Sequence, residues 1–428
     1  MAKQRLRMLF CDHLNLARGK YLPAEKMTDA STRLCQGVYA VTYGKDLIPA
    51  PGSSLLEGLH DMTLSYQADE MRDGWEPDTQ VVIADQFNND GSPLPMCGRG
   101  LLKRTVEQWR AKGLTPKVGI ELEAYAFRYN DSGELVPYET PGAFVYSTGP
   151  IGDPLGFTDA VWHKASEMGF AIECMTSEFD SPQFEFTLKY DDAVKAVDDI
   201  FLFKQMAREV AYQQGVILTF MPKPIPDLGG NGVHINFSLV DGKGNNIILD
   251  ETGEHGLSEI ARNSIAGMMH HHEAMAGIAA PTVNSYERLQ PASLSGYWKN
   301  WGVDHRGVTV RVANDSVASA RIEHRMGDAG ANPYTLTAAV LQAALLGVDN
   351  NYALQAPESQ DCLESQDAET GLAESLSAAL DTLESDTAFV NAMGEMLVGN
   401  IVGIKRAEIE EVAKLEGSAA RDYYIHYI

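Results

Sequence analysis

Carboxylates, one imidazole and several guanidinium groups stand at alternating positions along five short stretches of this chain. The first stretch is Gly119-Ile120-Glu121-Leu122-Glu123-Ala124-Tyr125-Ala126-Phe127. Its period of two predicts a strand, with Glu121 and Glu123 on one face and Ile120 and Leu122 on the other. Two carboxylates that close repel each other unless a cation or a base lies between them. Ser181-Pro182-Gln183-Phe184-Glu185-Phe186 repeats the pattern, and Glu178 lies seven residues before Glu185. In Gly232-Val233-His234-Ile235-Asn236-Phe237-Ser238-Leu239, His234, Asn236 and Ser238 share a face. Arg311 stands in the valine-rich stretch 308–312, and Arg321, Glu323 and Arg325 alternate along 321–326.

Each stretch alone suits an antiparallel sheet with one wet face. Together they predict the inner wall of a cleft. Five carboxylates and one histidine make two sites of hard, oxygen-rich character. Such sites favour Mg²⁺ or Mn²⁺ over zinc, which prefers four tetrahedral ligands rich in N and S. Arginines set among metal-binding carboxylates suit a phosphate-bearing anion. The sequence has no Gly-x-x-x-x-Gly-Lys-Ser/Thr stretch, so the phosphates would not be held by a P-loop.

The elements that must position these groups can be read more coarsely. Residues 6–14 and 81–84 are expected strands of a small N-terminal region, and 23–41 is polar and helix-prone. Turn formers at 88–93 mark a break. Residues 101–112 form an amphipathic helix stopped by Gly113, and 191–213 form another that ends at Gly215. Gly229-Gly230 permits a mobile loop before His234. An apolar helix over 260–279 carries His270-His271-His272. Three successive residues point three ways around a helix, so they cannot share one ion, and helix surface or a subunit contact is expected. The acidic stretch 357–386 is expected to be a solvated helix and loop. Tyr423, Tyr424 and Tyr427 are expected to pack the C-terminal region down.

With 428 residues the chain is long enough for two or three domains and a large core. A net charge of -25 makes nucleic acid a poor partner. No run of about 18 apolar residues predicts a membrane span, and the N-terminus does not read as a signal peptide. Five scattered cysteines offer neither a disulfide framework nor a thiolate metal motif, so a cytoplasmic home is expected.

The ordered motifs resemble the glutamine synthetase family (type I-like), over nearly the whole chain. They are Gly119-Ile120-Glu121-Leu122-Glu123, Glu178 with Gln183-Phe184-Glu185, and Thr219-Phe220-Met221-Pro222-Lys223-Pro224. Gly232-Val233-His234, Asn284-Ser285-Tyr286-Glu287-Arg288-Leu289 and Arg321-Ile322-Glu323-His324-Arg325 with Asn332-Pro333-Tyr334 follow. The resemblance implies an α+β fold: a small N-terminal β-grasp domain over 1–96 and a catalytic domain over 97–428. The catalytic domain would hold a curved antiparallel sheet, of the glutamine synthetase/guanido kinase-like type. Active sites would lie between subunits of a ring, usually a dodecamer.

The resemblance also implies roles. Glu123, Glu178 and Glu185 would hold one metal, and Glu121, His234 and Glu323 the other, with two or three Mg²⁺ or Mn²⁺ per site. Arg288 would grip the amino-acid carboxylate, with Gly230 and Leu294 also lining the substrate site. Arg306, Arg311 and Arg325 would contact phosphate and the reacting carboxyl. Asn236, Ser238, Arg306 and Arg321 would lie near ATP. The γ-phosphoryl group would pass to a carboxylate, and a neutral amine would attack the acyl phosphate.

Departures from the family pattern bear on the substrate. Ammonia-using members have an Asp-Gly-Ser-Ser turn, where this chain has Pro51-Gly52-Ser53-Ser54. They have a Glu six residues after the motif Arg, where this chain has Leu294. An Asn before the metal-binding His is replaced by Gly229, and a His by Asn236. Ammonium needs negative charge to concentrate it, which Pro51 and Leu294 do not supply. Leu294, with Tyr297, Trp298 and Trp301 nearby, suits an amine with a hydrocarbon body. The expectation is a γ-glutamyl–amine ligase. The alternatives are an ordinary glutamine synthetase, with Asp12, Asp46 or Glu57 standing in, and an inactive nucleotide-binding relative.

Overall fold

A computed structural model describes residues 4–428, the side chain of Asp29 excepted. The strand Arg5–Cys11 pairs antiparallel with Ala17–Pro23 and parallel with Thr79–Ile83. Its alternation serves two cores at once. Leu6, Met8 and Phe10 join a small cluster with Tyr39, Met62 and Leu64, whereas Leu9 and Cys11 face the main core. A three-stranded sheet of Ser31–Cys35, Asp61–Ser65 and Asp85–Phe87 closes the small cluster. The helix expected over 23–41 is not formed. Two 3₁₀ turns, Ala24–Asp29 and Gln36–Ala40, flank the strand Ser31–Cys35, which pairs along its whole length with Asp61–Ser65. Cross-strand pairing outweighs a weak local helix preference here.

A ten-stranded sheet carries the rest of the fold. Its main path runs Ile172–Ser177, Gln183–Leu188, Leu114–Tyr129, Val233–Asp241, Arg321–His324, Val310–Ala313 and Trp301–Val303. All neighbours on that path are antiparallel except the last pair, which is parallel. The central strand, Leu114–Tyr129, has buried and half-buried residues in strict alternation over its first ten positions. Ile120, Leu122, Phe186, Ile235 and Ile322 turn to the main core. Among the helices that build that core are Ala193–Gln213 and Pro333–Asn350. The second is started by Asn332, whose side chain accepts from the Tyr334 and Thr335 amides, and by Pro333 in its first turn. It crosses Glu259–His270 at a glycine pair: a Cβ on Gly267 would lie 2.1 Å from the Ala343 carbonyl oxygen.

Two arginines of the N-terminal sheets, and Arg99 at the start of the helix Gly98–Ala111, dock on Ala193–Gln213. Arg7 pairs with Glu209 at 2.6 Å, Arg72 with Asp199 at 2.6 Å and Arg99 with Asp198 at 2.8 Å. The helices expected at 101–112 and 191–213 span Gly98–Ala111 and Ala193–Gln213. The one expected over 260–279 breaks at His271 into Glu259–His270 and His272–Ala279. The break turns two of the three histidines inward. His271 Nδ1 lies 2.6 Å from Asp386, and His272 Nε2 donates to the Tyr297 carbonyl. Only His270 stays at the surface, stacked on Tyr352. The acidic stretch is less solvated than expected: Cys362, Leu372, Leu376, Leu380 and Leu383 are buried. Tyr43 receives the rings of Tyr423, Tyr424 and Tyr427. Among the described residues no single helix is long and apolar enough to cross a membrane.

Candidate active site

Strand register assembles the wall. Glu121 lies directly across from His234, and Glu123 directly across from Glu185. On the other flank Glu323 faces Asn236 and Arg311. One ligand atom each from Glu121, His234 and Glu323 lie within 4.8 Å of one another, and Glu123, Glu178 and Glu185 make a second such group. His234 bridges the two. Its Nδ1 is 3.0 Å from Glu121 and 3.6 Å from Glu323, and its Nε2 is 3.8 Å from Glu123.

The electrostatics of the two groups differ. Burial raises the Glu121 carboxyl, but the His234 hydrogen bond and charge, then Arg325 and the Asn236 amide, hold it at about 2. Burial, then the charges of Glu121, Glu178 and Glu123, push Glu185 up to about 7. Glu178 is raised by burial and by Glu123. The Glu123–Glu178–Glu185 group therefore has more negative charge than the protein itself neutralises, which is the condition a divalent cation relieves. Five carboxylates and one imidazole fit a hard cation such as Mg²⁺ or Mn²⁺.

The arginines sit around this wall in different states. Arg311 donates to Glu323 at 3.0 Å and to Asp304 at 2.8 Å. Arg325 also pairs with Glu323. Arg321 donates to Asn236 at 3.1 Å, and the Asn236 amide donates to Glu121 at 3.1 Å. Ser238, Asn236 and Arg321 line a cleft with Lys117, Glu173 and Tyr190. Arg288 is buried and donates to the Met326 and Arg325 carbonyls. Arg306 is exposed, in the turn between the last two strands, and makes no hydrogen bond among the described residues.

The loop before His234, where the glycines permit motion, is tethered in this structure by hydrogen bonds. Gly229 donates its amide to Asp180, and its carbonyl accepts from Tyr125 at 2.9 Å. The Gly230 carbonyl accepts from Gln183, and the Gly232 amide donates to Glu123 at 2.7 Å. The glycines serve close approach instead: a Cβ on Gly230 would lie 2.6 Å from Arg288 Cγ. Asp180 and Tyr125 were not singled out from the sequence. Tyr125 had a signal, since it continues the Glu121–Glu123 period; Asp180 had none.

Leu294 is 42% exposed, at a positive φ of 54°. The aromatic wall expected beside it does not form as a set. Trp301 is fully buried and donates to the Gln355 carbonyl, and Tyr297 packs over Gly371. Pro51 is exposed at its own position, beside Gly399 and Gly403. Asp12 is no substitute ammonium ligand: it is buried, paired with Arg18 and capping the Leu14 and Leu16 amides.

A sheet wall of this kind, with two carboxylate-rich groups among arginines, is suited to divalent cations and an anionic ligand. Comparison with known proteins narrows the class. The model of the glutamine synthetase catalytic domain matches residues 95–424. The glutamine synthetase of Pyrococcus abyssi is 32% identical over 421 residues, covering 95% of this chain and 90% of the relative. A solved glutamine synthase homolog superposes with a TM-score of 0.86 at 23% identity, over 100% of this chain and 99% of that one. The structure of GmaS without ligand gives 0.84 at 26% identity, over 98% and 96%. The chain belongs to the glutamine synthetase family, and it is an ATP-dependent ligase of that family's α+β fold.

Proposed function

We propose that the enzyme phosphorylates the side-chain carboxylate of L-glutamate, or a similar amino acid, and couples it to an organic amine. The observation that carries this reading is the loss of charge at two positions, Pro51 and Leu294, where ammonia-using relatives place carboxylates. Likeness to GmaS supports the same direction. A second reading, ammonia as the acceptor, is favoured by the name of the Pyrococcus abyssi relative.

In this reading Glu121, His234 and Glu323 hold one Mg²⁺ or Mn²⁺, and Glu123, Glu178 and Glu185 another. Bound there, the cations offset phosphate charge and polarise the transferring group. Arg288 and Arg325 hold the amino acid, beside the fixed Gly230 carbonyl and Leu294. Arg311 and Arg306 meet the carboxyl and phosphate oxygens, where a planar fork of donors suits a trigonal transition state. Asn236, Ser238 and Arg321 orient ATP. The reacting groups gain chiefly from being held in line. Neither Pro51 nor the Leu294 side chain supplies the negative charge that would attract a small cation.

We also infer a ring of subunits, a dodecamer, in which the turn at 51–54, exposed at Pro51, covers a neighbour's site. Five cysteines without a disulfide support a cytoplasmic home. The test of the acceptor is ATP-dependent phosphate release with L-glutamate across a panel of amines. An organic amine should give the highest kcat/KM; ammonium outperforming every one of them would defeat the proposal.

A further inference from the structure

Arg306 occupies a turn that has few contacts of its own. It is exposed, and its guanidinium makes no hydrogen bond among the described residues. What fixes the turn is its neighbour. His305 Nε2 donates to the Gln360 carbonyl at 2.6 Å, and His305 Nδ1 accepts from the Gly307 amide at 3.0 Å. Both ring nitrogens are used, so the tautomer is set by the two bonds. The imidazole therefore joins the turn to the segment 358–362.

That segment is itself held rigidly. Glu358 is 8% exposed, and its carboxylate accepts from four donors: Asn300 Nδ2 at 2.8 Å and the amides of Gln360, Asp367 and Ala368. Its amide donates to the Trp301 carbonyl at 2.8 Å. The Asn300 side-chain oxygen accepts from the Thr309 amide, on the far side of the same turn. Gly307 lies against this floor. A Cβ there would be 2.7 Å from the Asp361 carbonyl oxygen and 2.8 Å from Cys362 Cβ.

We propose that His305 is a positioning residue for Arg306, holding the turn against a floor that Glu358 organises. The acidic excursion after residue 355 is then part of the phosphate-handling apparatus, although it touches no reacting atom. This rests on the reading above, in which Arg306 contacts phosphate.

The test is a double-mutant cycle on the full-length enzyme, with ATP, glutamate and the preferred amine. His305→Ala should lower kcat by about 10- to 100-fold, since misplacing one positioned group by an ångström costs that much. Its KM for the acid should stay within about twofold, because Arg306 acts on the transition state. Gly307→Ala should reproduce the loss with the imidazole still present, because its Cβ would press on the Asp361 carbonyl, Cys362 and the His305 ring and lift the turn off its floor. His305→Gln keeps one donor and one acceptor and should recover part of it. In an Arg306→Ala background, His305→Ala should cost nothing further. The proposal is overturned if His305→Ala leaves kcat intact, or lowers it equally in both backgrounds. Full kcat in Arg306→Ala alone would instead remove the role of Arg306 on which the proposal rests.

Discussion

The imidazole of His234 lies directly across the strand pair from the Glu121 carboxylate, with Nδ1 3.0 Å from one of its oxygens. The same ring reaches Glu323 with that nitrogen and Glu123 with the other. It borders both acidic groups. His234→Ala should therefore weaken Mn²⁺ binding at least about tenfold, as removal of a ligand or its support commonly does. Titration calorimetry checks this; unchanged affinity would separate His234 from the cation sites.

Leu294→Glu places a carboxylate where the family resemblance implies that ammonia-using members carry one. The variant should raise kcat/KM for ammonium relative to that for organic amines, because negative charge concentrates the small cation. Paired assays with ammonium and the best amine read the ratio. A ratio that does not move would mean that Leu294 is not beside the acceptor.

Arg99 is 6% exposed and holds Asp198, Asp85 and Glu70 together, at 2.8, 2.6 and 3.4 Å. It ties the N-terminal sheets to the helix behind the catalytic wall. Arg99→Met should cost about 3 kcal/mol, because the carboxylates lose their buried partner. Urea denaturation measures it. A loss no larger than that of an exposed pair would show that Arg99 is not a docking hub.

His13 and His272 are buried, and burial first, then the charge of Lys405 or Lys299, lowers each from 6.5 to about 3. The unfolded chain takes up a proton at each as pH falls through about 6.5, and the fold does not. Their contribution to stability is thus full above about 6.5 and is lost as pH drops toward 3, at about 1.4 kcal/mol per pH unit for each histidine. Asp328, raised by burial to about 6, opposes one of them below that pH. His13→Gln should flatten the wild-type slope between pH 6 and 4 by one proton. Identical slopes for the two proteins would contradict the burial argument.

The chemistry of the wall was legible in the sequence because alternation in a strand fixes which side chains share a face. Glu121 with Glu123, Gln183 with Glu185, and His234 with Asn236 all followed from a period of two. Which strand lies beside which did not follow. The pairing of Glu121 with His234 joins residues 113 apart, and no local pattern encodes it. The resemblance to a family supplied that step. Local reading failed where long-range contacts decide. Ser31–Cys35 became a strand by pairing with Asp61–Ser65, and His271 was drawn inward by Asp386, 115 residues away. The aromatic wall near Leu294 failed for a related reason. Proximity along the chain does not fix direction, and Trp301 turns into the core to reach Gln355. At Gly229–Gly230 the sequence shows that glycine permits motion or close approach, and the close approach to Arg288 is visible only in the fold.

The central claim is that two cation sites share one sheet face. Anomalous scattering from crystals grown with Mn²⁺ measures this most directly. The account predicts one peak among Glu121, His234 and Glu323, and another among Glu123, Glu178 and Glu185. Manganese bound elsewhere, with both groups empty at saturating metal, would contradict it.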